Sequence, residues 1–95
     1  MKKLKKFKEL IEKEEYFKAH EILEEEWLKH KKNNNELQYP YRGLINAAVS
    51  LELKKRGRSK KTYKKVWENF KKYEKYYSDY EEFIHIARFL ENINP

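Results

Sequence analysis

The chain contains no cysteine, only two glycines and two prolines, and no long apolar stretch. Without cysteine, a disulfide framework and a thiolate metal site are both excluded. The scarcity of glycine and proline leaves few positions for tight turns, which favours long helices over a strand-rich fold. No apolar run approaches the roughly 20 residues needed to cross a bilayer. Because the basic start of the chain also lacks a secretory pattern, we expect a cytoplasmic protein without a membrane partner.

Charged and aromatic side chains are abundant instead. Of the 95 residues, 41% are charged and 16% are aromatic, so much of the core must be built from aromatic rings. The 23 Lys and Arg residues exceed the 16 Asp and Glu residues, and the formal net charge is +7. A chain of this length can bury one modest core, so we expect a single domain over residues 1–95. Its basic character is compatible with a polyanionic partner.

Apolar spacing predicts an all-α, compact bundle of about five helices. The third helix, at about residues 38–57, is apolar on most of its circumference and is therefore predicted to be the buried centre. We expect Gly57 to cap its C-terminus and Ser59 to cap the fourth helix, whose apolar positions run on to Tyr77. Ser78 and Glu81 are expected to form a capping box for a fifth helix, with Tyr80 facing inward. These signals leave little of the chain outside helices.

The second predicted helix carries the string Tyr16-Phe17-x-Ala19-His20-Glu21-x-Leu23-Glu24-x-x-Trp27, and Gly43-Leu44-Ile45 follows on the third. With these motifs the chain resembles the domain of unknown function family 309, small all-helical proteins of bacteria and archaea, over roughly residues 7 to 75. The resemblance implies a compact helical bundle and no established activity. Glu14 stands in a turn where the family often has glycine. Asn46 stands where glutamine is more usual.

A polar cluster is expected between the second and third helices. His20 and Glu24 are four residues apart and share one helical face, which Trp27 extends by a turn and Glu21 flanks. Arg42 and Asn46 of the third helix are expected to face the same side, and the six residues form the candidate site: His20, Glu21, Glu24, Trp27, Arg42 and Asn46.

Three interpretations of this cluster stay open. In a structural role, His20 would bond to Glu24 or Asn46 and set the register of the two helices. In a binding role, the cluster would hold a small ligand or a divalent metal, with His20 and Glu24 as candidate metal ligands and a third ligand from elsewhere, such as His30 or His85. Arg42 could then hold a carboxylate or phosphate. A metal-dependent enzyme or general acid–base catalysis is the third interpretation, although no nucleophile accompanies the pair. A structural or ligand-binding role is favoured, and the cofactor is left open.

A second candidate feature is a basic run that no acidic residue interrupts: Lys54, Lys55, Arg56, Arg58, Lys60, Lys61, Lys64 and Lys65. Such a run can neutralise several phosphates, so a nucleic-acid or anion-binding module is the alternative function. The alternative interpretation is a solvated lysine-rich face that binds no partner. Tyr63 and Trp67 fit core positions better than stacking platforms. Acidic residues concentrate between Glu9 and Glu26, so charge separation could also support head-to-tail self-association.

Overall fold

The computed structural model describes residues 2–95, and these residues form six α-helices and no strand. In chain order the helices are α1 (Lys2–Glu12), α2 (Tyr16–Lys32), α3 (Gln38–Lys55), α4 (Lys60–Lys72), α5 (Glu74–Tyr77) and α6 (Glu81–Ile93). The predicted all-α bundle is confirmed. The additional element is α5, a single turn between the predicted fourth and fifth helices.

Helix α3 is the centre of the bundle, as its apolar circumference predicts. It packs against α2 on one side and α4 on the other, and it also contacts α5 and α6, while α1 packs on α2 and α6. Leu44, Ala47 and Ala48 of α3 are fully buried. The buried hydroxyl of Ser50 donates a hydrogen bond of 2.6 Å to the carbonyl of Tyr63, which ties α3 to α4.

Aromatic rings fill much of the core, as the composition predicts. Phe7, Phe70 and Phe83 are essentially inaccessible to solvent. The ring of Phe70 stacks on Tyr77 at 5.3 Å between centroids, and Phe83 meets Tyr41 edge-on at 5.1 Å. These pairs add geometric preference to the large area that each ring buries.

Three helices end in the same backbone turn, in which one residue adopts a left-handed conformation. After α1 this residue is Glu14 (φ 60°), after α2 it is Asn34 (φ 52°), and after α3 it is Gly57 (φ 78°). In the first turn the amides of Glu14 and Glu15 donate to the carbonyls of residues 11 and 10, and the other two turns repeat this pattern. This is the Schellman motif, which favours glycine at the left-handed position. The predicted cap at Gly57 is confirmed, and Glu14 occupies the same position with a full side chain.

The start of α6 differs from the prediction. The helix begins at Glu81 after Tyr80, no side chain caps it, and the predicted capping box of Ser78 and Glu81 is wrong. The hydroxyl of Ser78 instead donates to the carbonyl of Lys75, because α5 ends here and Ser78 completes its last turn. Tyr80, predicted to face inward, is 47% exposed. At α4, by contrast, Ser59 accepts a hydrogen bond from the amide of Thr62, as predicted.

Helix α5 reaches α3 at a glycine. The hydroxyl of Tyr77 donates to the carbonyl of Phe70 at 2.8 Å and lies directly against Gly43. A Cβ atom on Gly43 would overlap this hydroxyl and would lie 2.8 Å from Cζ of Tyr77 and 2.9 Å from Cβ of Tyr73. The close approach of the two helices therefore requires glycine at position 43. Within residues 2–95, no helix combines the length and apolar character needed to span a membrane.

Candidate functional site

A groove between α2 and α3 collects most of the sequence-predicted polar cluster. It has a volume of about 250 Å³, and we refer to it as the α2–α3 groove; its lining residues are His20, Glu24, Trp27, Arg42, Ile45 and Asn46. The helical repeat explains the convergence, because residues four apart lie on one helical face. The remaining predicted residue, Glu21, lies beyond the His20–Glu24 pair and lines a neighbouring depression with Phe17 and Leu28.

The His20–Glu24 pair lies at the rim of the core. Nε2 of His20 is 2.7 Å from a carboxylate oxygen of Glu24, and the two side chains are 26% and 46% exposed. The edge of the Phe17 ring packs against the imidazole. Pairs of this exposure, four residues apart on a helix, contribute about 0.5 kcal/mol or less to folding. The pair is thus formed, and we expect it to contribute little to stability.

The amide of Asn46 does not join this pair. Its nitrogen donates to the carbonyl of Arg42 at 2.9 Å, and its oxygen accepts a hydrogen bond of 3.4 Å from Asn69 of α4. Among residues 2–95, no hydrogen bond connects Asn46 to His20 or Glu24. Asn46 therefore does not link α3 to the His20–Glu24 pair of α2.

Trp27 forms one wall of the groove, and two cationic side chains lie over its indole ring. The guanidinium carbon of Arg42 is 5.4 Å from the centre of the indole ring, and the ammonium of Lys31 is 4.8 Å from it. Arg42 is exposed and forms no ion pair with Glu21 or Glu24 in the described part of the chain. The contact with the indole ring is a cation–π interaction, and because Arg42 is exposed its guanidinium is accessible to a carboxylate or phosphate.

The three histidines lie apart, each beside a glutamate of its own helix. Nε2 of His30 is 3.8 Å from Glu26, and Nε2 of His85 is 3.5 Å from Glu81, so neither reaches His20. In residues 2–95, no group of three potential His, Cys, Asp or Glu ligands comes together. Protein zinc sites generally use at least three such ligands, and in the described chain no third one lies beside the candidate metal ligands His20 and Glu24.

The eight basic residues of the second candidate feature all lie on the surface where α3 ends and α4 begins. Three of them interact within the protein: Lys55 donates to the carbonyl of Glu14, Arg56 pairs with Glu52, and Lys54 lies over the ring of Tyr63. The side chains of the other five have no hydrogen bond or ion pair in the described chain, and we call them the basic surface: Arg58, Lys60, Lys61, Lys64 and Lys65. Head-to-tail association of this surface with the glutamates of α2 stays a prediction.

Two residues near the groove are absent from the sequence prediction. Lys31 lies one turn beyond Trp27, so its position over the indole ring follows from the same four-residue spacing and could have been found. Asn69 contacts Asn46 from α4, twenty-three residues away in sequence. Only the packing of α4 on α3 brings these two amides together.

Comparison with known proteins identifies one family. A family model described as Domain of unknown function (DUF309) matches residues 4–66. The match includes the α2–α3 groove and the basic surface, whereas α5, α6 and the second half of α4 lie outside it. No curated protein and no solved structure is significantly similar to the chain.

Proposed function

Because this chain belongs to the DUF309 family, whose description assigns no activity, we propose a function from the chain's own groove. The α2–α3 groove binds a small ligand that carries a carboxylate or phosphate group. Arg42 is the residue that binds the anionic group. His20, Glu24 and Asn46 supply further polar contacts, and Trp27 provides an apolar wall.

The observation that carries this proposal is the position of the Arg42 guanidinium over the ring of Trp27, at the wall of the groove. This guanidinium lies over the indole ring and forms no ion pair within residues 2–95. Its planar array of N–H donors matches the oxygens of a carboxylate or phosphate, and the ring favours its position at the groove wall. The neighbouring ammonium of Lys31 adds to the positive potential at this wall of the groove.

The exposure of the His20–Glu24 pair supports binding over a purely structural role. A half-exposed pair adds little to stability, whereas the same exposure leaves its polar atoms accessible to a ligand. A metal-dependent enzyme at His20 and Glu24 finds less support, because the described chain brings no third ligand to them. The ligand is therefore proposed to bind through hydrogen bonds and charge.

Amide NMR spectra of the full chain provide the test. Acetate, citrate, inorganic phosphate and adenosine monophosphate are titrated separately, and we expect at least one to shift the indole N–H of Trp27 and the amides around Asn46. Arg42→Gln should remove these shifts. Arg88→Gln is the matched control, because Arg88 is also exposed but lies on α6. The proposal is wrong if none of the four ligands shifts these signals, or if Arg42→Gln retains the shifts.

The basic surface supports a second candidate function, the binding of a polyanion such as nucleic acid. In the described chain its five cations have no acidic partner, and two of them, Lys60 and Lys61, lie in the first turn of α4. Cations at a helix N-terminus oppose the helix dipole, so this arrangement slightly disfavours folding while it concentrates positive potential. The test is the affinity for labelled nucleic acid at increasing salt: an affinity that does not fall would rule out this electrostatic mode.

A further inference from the structure

We infer that the basic surface binds the phosphate backbone of a double-stranded nucleic acid, rather than a single strand with stacked bases. This inference rests on the polyanion-binding function proposed for the same residues. It depends on two properties of the surface: cations whose backbone positions are fixed by one helix, and the absence of an accessible aromatic ring among them.

The cations form a regular array on one helix. Lys60 and Lys64 are one turn apart, as are Lys61 and Lys65. The two residues of each pair are therefore about 6 Å apart along the helix axis. Arg58 extends the array at its N-terminal end, and Glu68 is the first acidic residue beyond it. Because α4 is anchored by buried Trp67 and Phe70, the backbone positions of these cations are fixed. A fixed array suits a stiff polyanion, and a duplex carries one phosphate charge about every 1.7 Å of its axis.

The aromatic residues of this region are not available for base stacking. Trp67 is only 6% exposed, and Tyr63 is half-buried with the ammonium of Lys54 over its ring. Proteins that bind single strands without sequence preference rely on exposed aromatic faces on which the bases stack. Phe17 is an exposed ring that lines a depression with Arg56 at the edge of the region. We therefore take Phe17 as the ring to test for a single-strand mode.

The residue types also point to phosphates rather than base edges. Four of the five cations are lysines, and residues 54–65 contain no Asn or Gln, the usual readers of adenine. Contacts to phosphate carry no sequence information. Duplexes of unrelated sequence are therefore expected to bind with the same affinity.

Fluorescence anisotropy with the full chain tests the inference, using a DNA duplex of about 20 base pairs, an RNA duplex and a single strand of the same sequence. If all five cations contact phosphates, the duplex affinity falls about 500-fold between 50 and 200 mM salt, from a log–log slope of about −4.5. The double variant Lys61→Gln/Lys65→Gln should reduce the slope by about 2. Lys5→Gln/Lys6→Gln on α1 removes the same charge elsewhere and should leave the slope unchanged.

The outcomes distinguish two claims: that the basic surface binds a polyanion, and that it prefers a duplex to a single strand. Tighter binding of either duplex than of the single strand, unaffected by Phe17→Ala, supports the backbone mode, and a preference for one duplex names the source of the phosphates. Equal or tighter single-strand binding that Phe17→Ala weakens overturns the duplex inference but retains polyanion binding. No salt-dependent binding of any probe overturns both. A slope that Lys61→Gln/Lys65→Gln leaves unchanged also overturns both, since the cations would then lie outside the contact.

Discussion

Replacing Glu14 with glycine is expected to stabilise the protein. Glu14 occupies the left-handed position of the turn that ends α1, with a backbone φ of 60°. The two hydrogen bonds of the turn, to the carbonyls of Leu10 and Ile11, involve only backbone atoms and survive the change. So does the hydrogen bond from Lys55 to the carbonyl of residue 14. The substitution therefore relieves an unfavourable conformation without removing a contact of the turn.

The magnitude follows from two opposing effects. A residue with a side chain loses about 1–2 kcal/mol in the left-handed conformation, which glycine avoids. Glycine in turn loses about 0.5–1 kcal/mol more conformational entropy on folding. The net gain lies between about 0 and 1.5 kcal/mol, and its midpoint of about 0.75 kcal/mol raises the melting temperature of a domain of this size by roughly 3–6 °C.

Thermal denaturation followed by circular dichroism measures this effect, with two variants as controls. Glu14→Ala removes the carboxylate but keeps a Cβ, so it should not reproduce the gain. Gly57→Ala tests the reverse change at the equivalent position after α3. Apart from the adjoining residues nothing in the described chain lies within 4 Å of the added Cβ, so the expected loss of about 1 kcal/mol reflects backbone conformation alone. A lower melting temperature for Glu14→Gly, or an equal rise for Glu14→Ala, would refute the reasoning.

Three further predictions concern the core and the groove. Gly43→Ala should destabilise the protein by about 1–3 kcal/mol in denaturant titrations, because the new methyl group overlaps the Tyr77 hydroxyl, and Tyr77→Phe in the same chain should recover part of the loss. His20→Ala should lower stability by less than about 1 kcal/mol, since its pair with Glu24 is half-exposed; a larger loss would restore the structural interpretation. Burial raises the pKa of Tyr41 to about 12, so the folded state keeps this phenol neutral while the unfolded chain ionises near pH 10. The neutral phenol contributes fully to stability below pH 10, and this contribution is lost as the pH rises towards 12. Thermal melts between pH 10 and 12 should therefore show a falling melting temperature, and Tyr41→Phe should lessen the fall.

The helices were predictable because their signals are local. Apolar spacing located each long helix, and Gly57 and Ser59 marked a helix end and start through their own backbone and side-chain chemistry. The turn α5 was not predictable, because it is stabilised by a contact between residues far apart in sequence, the packing of Tyr77 against Gly43. Ser78 ends this turn, and its hydroxyl bonds to the carbonyl of Lys75. The capping-box sequence at Ser78 therefore does not begin a helix.

The groove was predictable in its composition but not in its exposure. The four-residue spacings place His20 beside Glu24 and Arg42 beside Asn46, and the packing of α2 on α3 brings the two pairs into one groove. Whether the histidine pair is buried depends on the residues that cover it from other helices, which no spacing encodes. The partner of Asn46 likewise comes from α4, so a search along α2 and α3 alone could not find it.

The contact between Gly43 and Tyr77 joins the family-matched segment to the part of the chain that follows it. Of the nineteen buried apolar residues in the described chain, seven lie after residue 66: Trp67, Phe70, Tyr77, Phe83, Ile86, Ala87 and Leu90. Phe83 packs directly on Tyr41, and α6 also contacts α1. The boundary of sequence similarity is consequently not a folding boundary. A protein cut after residue 66 would retain every residue of the α2–α3 groove and of the basic surface, but it would lack the helices that close the core beneath them.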